Sequence, residues 1–203
     1  MASRYTSFLD IEVAFEPSLD GGGMTFGQQF LIAVQRCTGP VDHIFEFCAG
    51  PGFIGFSLLA HHLCKRLTLA DVNPAAVRAC QETIARNRLE PVCTSFLSDC
   101  FAGIPDSQHW SLVVGNPPHW PHFTGTHRTS LIMTDVDLWL HRRFFRDVGS
   151  YLKPGGSILL QENERATAVA DFRSMIDEGG FTINDAFKVA VDSKFYFLWC
   201  QRR

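Results

Sequence analysis

Short apolar runs alternate with segments of helical spacing along most of the chain. Seven apolar runs are predicted to be strands, at 44–47, 66–71, 92–97, 110–115, 157–161, 182–189 and 193–200. Helical spacing predicts helices at 24–36, 53–60, 74–84, 135–152 and 165–178. Strands that alternate with helices form parallel sheets, whereas the last two strands have no helix between them and are predicted to pair as an antiparallel hairpin. The pattern therefore predicts an α/β fold built on a doubly wound, Rossmann-like, mostly parallel seven-stranded sheet.

The centre of this pattern is a glycine turn between the first strand and the helix that follows it. Gly50, Pro51 and Gly52 end the apolar run, and Phe53 begins the helical spacing. Glycine lets the backbone of such a turn touch a ligand, because it has no Cβ and tolerates positive φ. We therefore predict a nucleotide-like ligand at this turn. A plain connection between strand and helix is the alternative.

Carboxylates follow the next two strands, at the edge where ligands of such sheets bind. Asp71 lies about 20 residues after the glycine turn, a spacing suited to accepting two hydrogen bonds from a ribose diol. Asp99 ends the third strand and is predicted to accept an adenine amino proton, with Phe101 against the ring. The alternatives are a helix cap for Asp71 and a turn-initiating role for Asp99.

The sequence Asn116-Pro117-Pro118-His119 follows the fourth strand. Two consecutive prolines fix the backbone, so that the Asn116 amide and the Pro117 carbonyl are predicted to face one point. A nitrogen that donates protons to both oxygens has its lone pair aimed away from them, positioned for attack without a charged base. The segment therefore predicts a clamp for an amine or amide. An ordinary strand terminator is the alternative.

Together these motifs resemble those of the class I S-adenosylmethionine (SAM)-dependent methyltransferases. They are most similar to the NPPY branch, which includes the HemK-type glutamine methyltransferases and the adenine and guanine N-methyltransferases. The resemblance covers residues 24–200 and implies the class I methyltransferase architecture, with SAM as the cofactor and Asn116 at the reacting nitrogen. The cofactor-binding residues that the resemblance implies are Glu46, Cys48, Gly50, Gly52, Asp71, Val72, Asp99, Cys100 and Asn116.

The chain departs from the pattern of that branch at two positions. Cys48 stands where the family usually has its first glycine, and His119 replaces the aromatic residue that stacks on the acceptor. The predicted catalytic residues are Asn116, Pro117 and His119, with His119 as a general base because imidazole titrates near neutrality. Aromatic rings also attract a sulfonium or ammonium. The residues predicted for the substrate pocket are Phe26, Pro118, Trp120, Phe123 and Trp139.

Composition narrows the choice of partners. The 203 residues, 46% of them hydrophobic, predict a single domain over 1–203, in which 1–23 is a lead-in and the glycines at 21–23 form a linker or a hinge over the pocket. A net charge of -3 and a pI of about 6.2 lack the basic surface of duplex-binding proteins. Nucleic acid is therefore disfavoured and a small-molecule substrate is predicted. No added substrate-recognition domain is expected, which favours the same conclusion.

Cysteine and apolar content predict the compartment. The seven cysteines form no CxxC pair, and no apolar segment approaches the roughly 20 residues of a membrane span. A cytoplasmic protein with reduced thiols and no membrane partner is therefore predicted. His119, His122 and His127 have no carboxylate at ligand spacing, so no metal is predicted. The oligomeric state stays open.

Three functions fit these residues. The first is SAM-dependent N-methylation of an amine or amide of a small molecule or a single side chain, through Asn116-Pro117-Pro118. The second is cyclisation of SAM itself with release of methylthioadenosine, a reaction of the azetidine-2-carboxylate synthases, which share this fold. The third is a catalytically silent SAM-binding subunit that activates a partner. The intact clamp argues against the third.

Overall fold

The computed structural model describes residues 4–122 and 132–203. The strands of this described part are β1 (Arg4–Phe8), β2 (Ile11–Phe15), β3 (Val41–Phe47), β4 (Cys64–Asp71), β5 (Cys93–Leu97), β6 (Trp110–Gly115), β7 (Leu152–Asn163), β8 (Phe181–Phe187) and β9 (Phe195–Arg202). Its α-helices are α1 (Phe30–Cys37), α2 (Phe53–Ala60), α3 (Pro74–Asn87), α4 (Trp139–Asp147) and α5 (Val169–Glu178). None of these described helices has the length and apolar character needed to cross a membrane.

Seven of these strands form one sheet in the order β5-β4-β3-β6-β7-β9-β8. The five strands from β5 to β7 in this order run parallel, and β9 is antiparallel to both β7 and β8. The predicted fold class is therefore confirmed, including the antiparallel pairing of the last two strands. The apolar pattern gave no indication that β9 inserts between β7 and β8.

The parallel centre of the sheet is buried on both faces. In β3, Ile44 packs into the core on one face, whereas Phe45 and Phe47 pack into the core on the other. On that second face, Phe45 stacks on Trp110 with ring centroids 4.0 Å apart. Successive side chains of a strand point to opposite faces, so a strand covered on both sides is apolar at nearly every position. This is why short continuous apolar runs predict these strands correctly.

The predicted helix at 135–152 is wrong at both ends. The structure has a short 3-10 turn at Val136–Leu138, then α4, then a second 3-10 turn at Val148–Tyr151. Asp137 and Leu138 have positive φ, 53° and 55°, and this backbone cannot continue an α-helix.

The segments around β7 also differ from their predictions. Residues 153–156, between the helix predicted at 135–152 and the strand predicted at 157–161, belong to β7 and form an irregularity in it, where the pairing with β6 shifts register. The helix predicted at 165–178 begins only at Val169, because Asn163 first holds a turn by accepting a hydrogen bond from the Arg165 N–H at 3.0 Å.

Residues 4–15 form a β-hairpin that the sequence analysis did not predict. β1 and β2 pair antiparallel through a two-residue turn at Leu9 and Asp10. The turn has none of the usual Asn-Gly or Gly signals, and Leu9 adopts a φ of 52°, which is uncommon for leucine. The hairpin packs on α3, where Thr83 Oγ1 accepts a hydrogen bond from the Ala14 N–H at 2.9 Å. Residues 4–15 of the lead-in therefore form a layer that packs on α3.

Candidate cofactor and acceptor site

A cavity of about 360 Å³ lies at the carboxyl ends of the parallel strands. This volume is within the range of small-molecule sites, and ligands of open α/β sheets bind at this edge. Eight of the residues predicted to hold a cofactor line the cavity: Glu46, Cys48, Gly50, Asp71, Val72, Asp99, Cys100 and Asn116. The ninth, Gly52, does not line it.

The glycine turn after β3 uses left-handed backbone at two positions. Gly50 has a φ of 52° and Gly52 a φ of 80°. A Cβ on Gly52 would lie 2.7 Å from side-chain atoms of both Leu69 and Phe56, so the packing between β4 and α2 excludes any side chain there. Gly52 therefore allows the turn to pack closely against β4 and α2, whereas Gly50 faces the cavity.

Cys48 also has left-handed backbone, with a φ of 54°. A residue with a Cβ is strained in this region by about 1–2 kcal/mol, and glycine is not. Burial raises the pKa of the Cys48 thiol well above its ordinary value, as do Asp71 and other nearby acidic groups. The thiol is therefore an uncharged part of the cavity wall. Cys100, which follows β5, has the same φ of 54° and lines the cavity as well.

Glu46 lines the cavity from β3 and is only 1% exposed. Its Oε2 accepts a hydrogen bond from the Gly55 N–H, in the first turn of α2, at 2.7 Å. Burial raises the pKa of Glu46 to about 8, although this hydrogen bond acts in the opposite direction. Glu46 therefore keeps its proton near neutral pH and ties β3 to the start of α2.

Asp71 joins the carboxyl ends of β3 and β4. Its Oδ2 accepts a hydrogen bond from the Gly50 N–H and its Oδ1 from the Asn73 N–H, each at 2.8 Å. Asn73 itself caps α3, because its Oδ1 accepts a hydrogen bond from the Ala75 N–H at 3.0 Å. The alternative role of Asp71 as a helix cap is therefore wrong. Burial raises the pKa of Asp71, and its backbone hydrogen bonds oppose this rise.

Asp99 lies at the rim of the cavity after β5. Its side chain is 59% exposed, and Oδ1 accepts a hydrogen bond from Arg143 Nη1 at 2.8 Å. Phe101, expected against an adenine ring, packs in the core instead and stacks on Tyr151 with ring centroids 5.0 Å apart. The left-handed turn at Cys100 separates the two residues, so Asp99 faces the cavity while Phe101 faces the core.

Asn116 ends β6 with its side chain in the wall of the cavity. Nδ2 donates a hydrogen bond to the Gly21 carbonyl at 3.3 Å, whereas Oδ1 is buried and has no hydrogen-bond partner in the described part of the chain. An unpaired buried acceptor costs about 1–3 kcal/mol. This oxygen is therefore suited to an N–H donor from a ligand. Pro118 lines the same cavity.

Leu19, Asp20, Gly21 and Gly23 form a further wall of the cavity. Asp20 Oδ1 accepts a hydrogen bond from the Gly22 N–H at 2.8 Å, and Gly22 has a φ of 107° that favours glycine. Because Gly21 contacts Asn116 directly, movement of this wall would change access to the Asn116 side chain. A hinge at 21–23 stays a prediction.

Three of the aromatic residues predicted for the substrate pocket, Phe26, Trp120 and Trp139, do not line the cavity. Phe26 is 38% exposed and packs on Phe195 with ring centroids 4.5 Å apart. The Trp120 N–H donates to the Met133 carbonyl at 2.9 Å, and Trp139 is 62% exposed at the start of α4. Phe123 lies outside the described residues. Of the predicted substrate-pocket residues, the structure brings Pro118 to the cavity.

His119 belongs to a buried network of four ionisable residues, which we call the buried network: His119, Glu162, His141 and Asp135. His119 Nδ1 lies 3.1 Å from Glu162 Oε2, and Glu162 Oε1 lies 3.0 Å from His141 Nε2. His141 Nδ1 lies 2.6 Å from Asp135 Oδ2. The fold therefore gives His119 a carboxylate partner, Glu162, which its spacing in the sequence does not indicate. Glu162 directly follows the run predicted as a strand at 157–161, so the rule that selected Asp71 could also have selected Glu162.

No group of His, Cys, Asp and Glu within 4–122 and 132–203 is arranged to hold a metal ion. The prediction that the protein uses no metal stays a prediction, and His127 lies outside the described residues.

Comparison with known proteins gives one family and several relatives. The family model described as methyltransferase small domain matches residues 21–178. A ribosomal RNA small subunit methyltransferase C of Pseudomonas aeruginosa (strain LESB58) is 27% identical over 166 residues, which cover 80% of this chain and 46% of the relative. A release factor glutamine methyltransferase of Cereibacter sphaeroides is 25% identical over 136 residues, 60% of this chain and 47% of the relative. The chain thus spans about half the length of the curated relatives it matches.

Two solved structures share the fold over most of the chain. A 16S rRNA N2 methyltransferase from T. Thermophilus, in complex with AdoMet and guanosine, has a TM-score of 0.64 at 17% identity, covering 100% of this chain and 50% of that one. The glycopeptide N-methyltransferase MtfA, complexed with SAM, has a TM-score of 0.67 at 15% identity, covering 94% of this chain and 97% of that one. At these identities the likeness shows the fold alone.

The prediction of a small-molecule acceptor, with nucleic acid disfavoured, is wrong. It is overturned by relatives that are named as ribosomal RNA methyltransferases. Net charge was a poor guide because the value of -3 sums charges over the whole chain, whereas a nucleic acid meets only the surface around the site. One cation on that surface is Lys194, whose Nζ lies 5.2 Å from the centroid of the Phe26 ring.

Proposed function

Because the chain belongs to the methyltransferase small domain family, we propose that it methylates an exocyclic amine of a base in RNA, with N2 of a guanosine as the first candidate. Family membership confirms the predicted superfamily, the class I SAM-dependent methyltransferases, and with it SAM as the cofactor. Membership of the NPPY branch and the identity of the acceptor are both parts of the proposal. The RNA acceptor is supported by the rRNA methyltransferases among the relatives, and guanosine by the bound nucleoside in the T. Thermophilus structure.

The observation that carries the proposal is the unpaired Oδ1 of Asn116 in the wall of the cavity. A base amine has two N–H groups, one for this oxygen and one for the Pro117 carbonyl. With both hydrogens held, the nitrogen lone pair faces away from the protein oxygens. The clamp therefore lowers the barrier by orientation, which needs no charged base at Asn116 itself.

The cavity residues fit the cofactor. Bound SAM supplies an electrophilic methyl group on a sulfonium. Asp71 keeps acceptor capacity beyond its two backbone hydrogen bonds, which suits ribose hydroxyls. Asp99 would accept a hydrogen bond from the adenine amine. Gly50 has no Cβ, so the backbone can approach the ligand there.

An aromatic surface beside the clamp suits a nucleotide. The exposed Phe26 ring packs on the buried Phe195 ring, and Lys194 Nζ lies 5.2 Å and 5.4 Å from their centroids. Stacking of a base on an aromatic side chain contributes about 1–3 kcal/mol, and a nearby cation attracts phosphate. This surface gives Phe26 a role in holding the acceptor strand although it does not line the cavity. An acceptor in the ribosome would also keep the protein in the cytoplasm, as the sequence analysis predicts.

The experiment is transfer of tritiated methyl groups from SAM to small ribosomal subunits. Subunits from a strain of the source organism that lacks this protein should accept label in rRNA, and subunits from the parent strain should not. Digestion to nucleosides should place the label in N2-methylguanosine. Absence of label from RNA in both cases would overturn the proposal.

Two further arms of the same experiment separate the competing functions. Label in a glutamine of an added release factor would favour a protein amide as the acceptor. Methylthioadenosine formed from SAM alone would favour the cyclisation that the sequence analysis left open, which the relatives named as methyltransferases do not favour.

A further inference from the structure

The buried network joins His119, the residue after the clamp, to three further ionisable side chains. His119 follows Asn116-Pro117-Pro118, Glu162 lies near the end of β7, His141 belongs to α4, and Asp135 precedes α4. The His119 side chain is 11% exposed, and those of the other three are 0–3% exposed. Burying four such groups is costly unless they are paired and hydrogen-bonded, and clusters of this kind are concentrated at functional sites.

We propose that His119 accepts the proton released when the acceptor amine is methylated, and that Glu162, His141 and Asp135 are positioning residues that fix its tautomer and charge. This inference rests on the proposed function. The N–C bond forms while the C–S bond breaks, with the electron pair of the C–S bond left on sulfur. Once the methylated nitrogen moves off the clamp, it passes one proton to His119 Nε2 and keeps the electron pair of that N–H bond.

Hydrogen bonding decides which nitrogen of His119 is available. An ionised Glu162 is an acceptor only, so the His119 Nδ1 that lies 3.1 Å from it must carry a hydrogen. In neutral imidazole the other nitrogen, Nε2, then holds a free lone pair. Among the described residues, Glu162 is the hydrogen-bond partner of the His119 ring.

The charges of the groups around His119 favour a proton on its ring. Burial alone would raise the pKa of Glu162, but His141 and His119 hold it below its ordinary value. Burial alone would lower the pKa of His141, but Glu162 and Asp135 outweigh burial and raise it to about 9. Near neutral pH the buried network therefore holds a Glu162 carboxylate and a His141 imidazolium. A proton on His119, whose Nδ1 lies 3.1 Å from Glu162 Oε2, would be attracted to that carboxylate where water is excluded.

Other titratable groups packed against the buried network do not change these charges. Burial and then the charge of Glu162 raise the pKa of Tyr196 on β9, and burial and several acidic groups raise the pKa of Cys48. Both groups are therefore neutral near pH 7. The Phe172 ring of α5 packs on His141 with ring centroids 5.1 Å apart and shields it from water.

The informative substitution is Glu162→Gln. Glutamate offers one acceptor oxygen to each of the two imidazoles, whereas an amide has a single oxygen and an NH₂ group that donates. One imidazole must therefore change its protonation. If His141 keeps both hydrogens, the amide N–H faces His119 Nδ1, and the His119 hydrogen moves to Nε2. His119 then has no lone pair for the released proton.

The first readout is long-range ¹H–¹⁵N NMR of histidine-labelled protein, which reports tautomers without any acceptor or turnover. In the unmodified protein we expect His119 with its hydrogen on Nδ1, and His141 doubly protonated up to about pH 9. In Glu162→Gln we expect the hydrogen of His119 on Nε2. A hydrogen on Nε2 of His119 in the unmodified protein overturns the proposal even if the variant fails to fold.

The second readout is the rate of methyl transfer to small ribosomal subunits. General acid–base catalysis typically contributes 10²–10⁴-fold, so Glu162→Gln should lower kcat by about 10²-fold while the Kd of S-adenosylhomocysteine changes less than twofold. His119→Gly should lose a similar factor and regain activity when free imidazole is added. A purely structural role for His119 would give no such rescue.

Two matched variants control for position and charge. Glu164→Gln removes an exposed carboxylate of the same region that pairs with Lys188, and His122→Ala removes an exposed imidazole of the same loop. Both should retain kcat within about twofold. Full activity of Glu162→Gln with an unchanged pH profile overturns the inference and leaves the proposed function intact. Failure of the unmodified protein to methylate any RNA would overturn the proposed function, while the NMR tautomers would still test the network.

Discussion

Asp71 Oδ2 accepts a hydrogen bond from the Gly50 N–H at 2.8 Å, and this contact ties the end of β4 to the glycine turn after β3. The same carboxylate accepts a second hydrogen bond from the backbone and still faces the cavity. One side chain therefore holds the shape of the turn and supplies acceptors to whatever fills the cavity.

We expect Asp71→Asn to weaken binding of S-adenosylhomocysteine by about 10- to 100-fold. An amide has one acceptor oxygen, so it cannot satisfy both backbone N–H groups and a ribose diol, and a hydrogen bond to a charged group contributes about 1.5–3 kcal/mol. Isothermal titration calorimetry measures the change. Asp106→Asn, at an exposed position remote from this turn, is the control and should leave the Kd unchanged. Equal affinities for both variants would remove Asp71 from the cofactor site.

Asn116→Ala should lower methyl transfer by at least about 10²-fold and change the affinity for S-adenosylhomocysteine by less than about threefold. The alanine removes the oxygen that orients the acceptor amine, and misplacement of a reacting group by 1 Å costs on the order of 10²-fold. Turnover with tritiated SAM and calorimetry give the two values. Asn184→Ala, on the exposed face of β8, serves as the control. Retained turnover in Asn116→Ala would contradict the clamp.

Glu46→Gln should change how stability depends on pH. The folded protein keeps the Glu46 proton up to about pH 8, whereas the unfolded chain releases it near its ordinary pKa of 4.5. The contribution of Glu46 to the free energy of unfolding therefore falls as pH rises from about 4.5 to 8, by up to about 1.4 kcal/mol per pH unit. Urea unfolding between pH 5 and pH 8.5 should show this decrease in the unmodified protein, and the variant should lack it.

The control for this measurement is Glu90→Gln, at an exposed position after α3. Its free energy of unfolding should follow that of the unmodified protein at every pH. A Glu46→Gln curve that runs parallel to that of the unmodified protein would show that Glu46 is ionised in the fold.

Cys48→Gly should stabilise the protein by about 1 kcal/mol, because glycine removes the strain of a Cβ at a φ of 54°. Gly52→Ala, in the same turn, should destabilise it by about 2 kcal/mol or more, since its Cβ would lie 2.7 Å from Leu69 and Phe56. Chemical unfolding compares the two. If Cys48→Gly were the more destabilising variant, the packing of the thiol would outweigh the backbone strain.

The sequence predicts the position of a residue best where that residue directly follows a strand. Asp71 and Asn116 were singled out because each follows an apolar run, and parallel strands bring their carboxyl ends to one edge whatever the tertiary details. The β1–β2 hairpin was missed for the opposite reason. Its turn relies on Leu9 at positive φ, and its stability comes from packing on α3, which no local pattern reveals.

The buried network was also beyond local reasoning. His119 and Glu162 are 43 residues apart and meet only because β6 and β7 are neighbours in the sheet. His141 lies on a helix that was predicted over too long a range, and its role depends on which face of that helix is turned inward. Attraction between Glu162 and His141 then outweighs the effect of burial on their pKa values, and both the pairing and the burial follow from the complete fold.

The position of β9 between β7 and β8 has a consequence for synthesis on the ribosome. β8 is translated before β9, yet within the described structure it joins the large sheet only through β9. While residues 195–202 are still inside the exit tunnel, the edge of β7 has no neighbour on that side and the newly made β8 has no strand partner in the large sheet. Completion of this half of the sheet must therefore wait until translation has passed β9, so the nascent chain carries an open sheet edge that chaperones could shield.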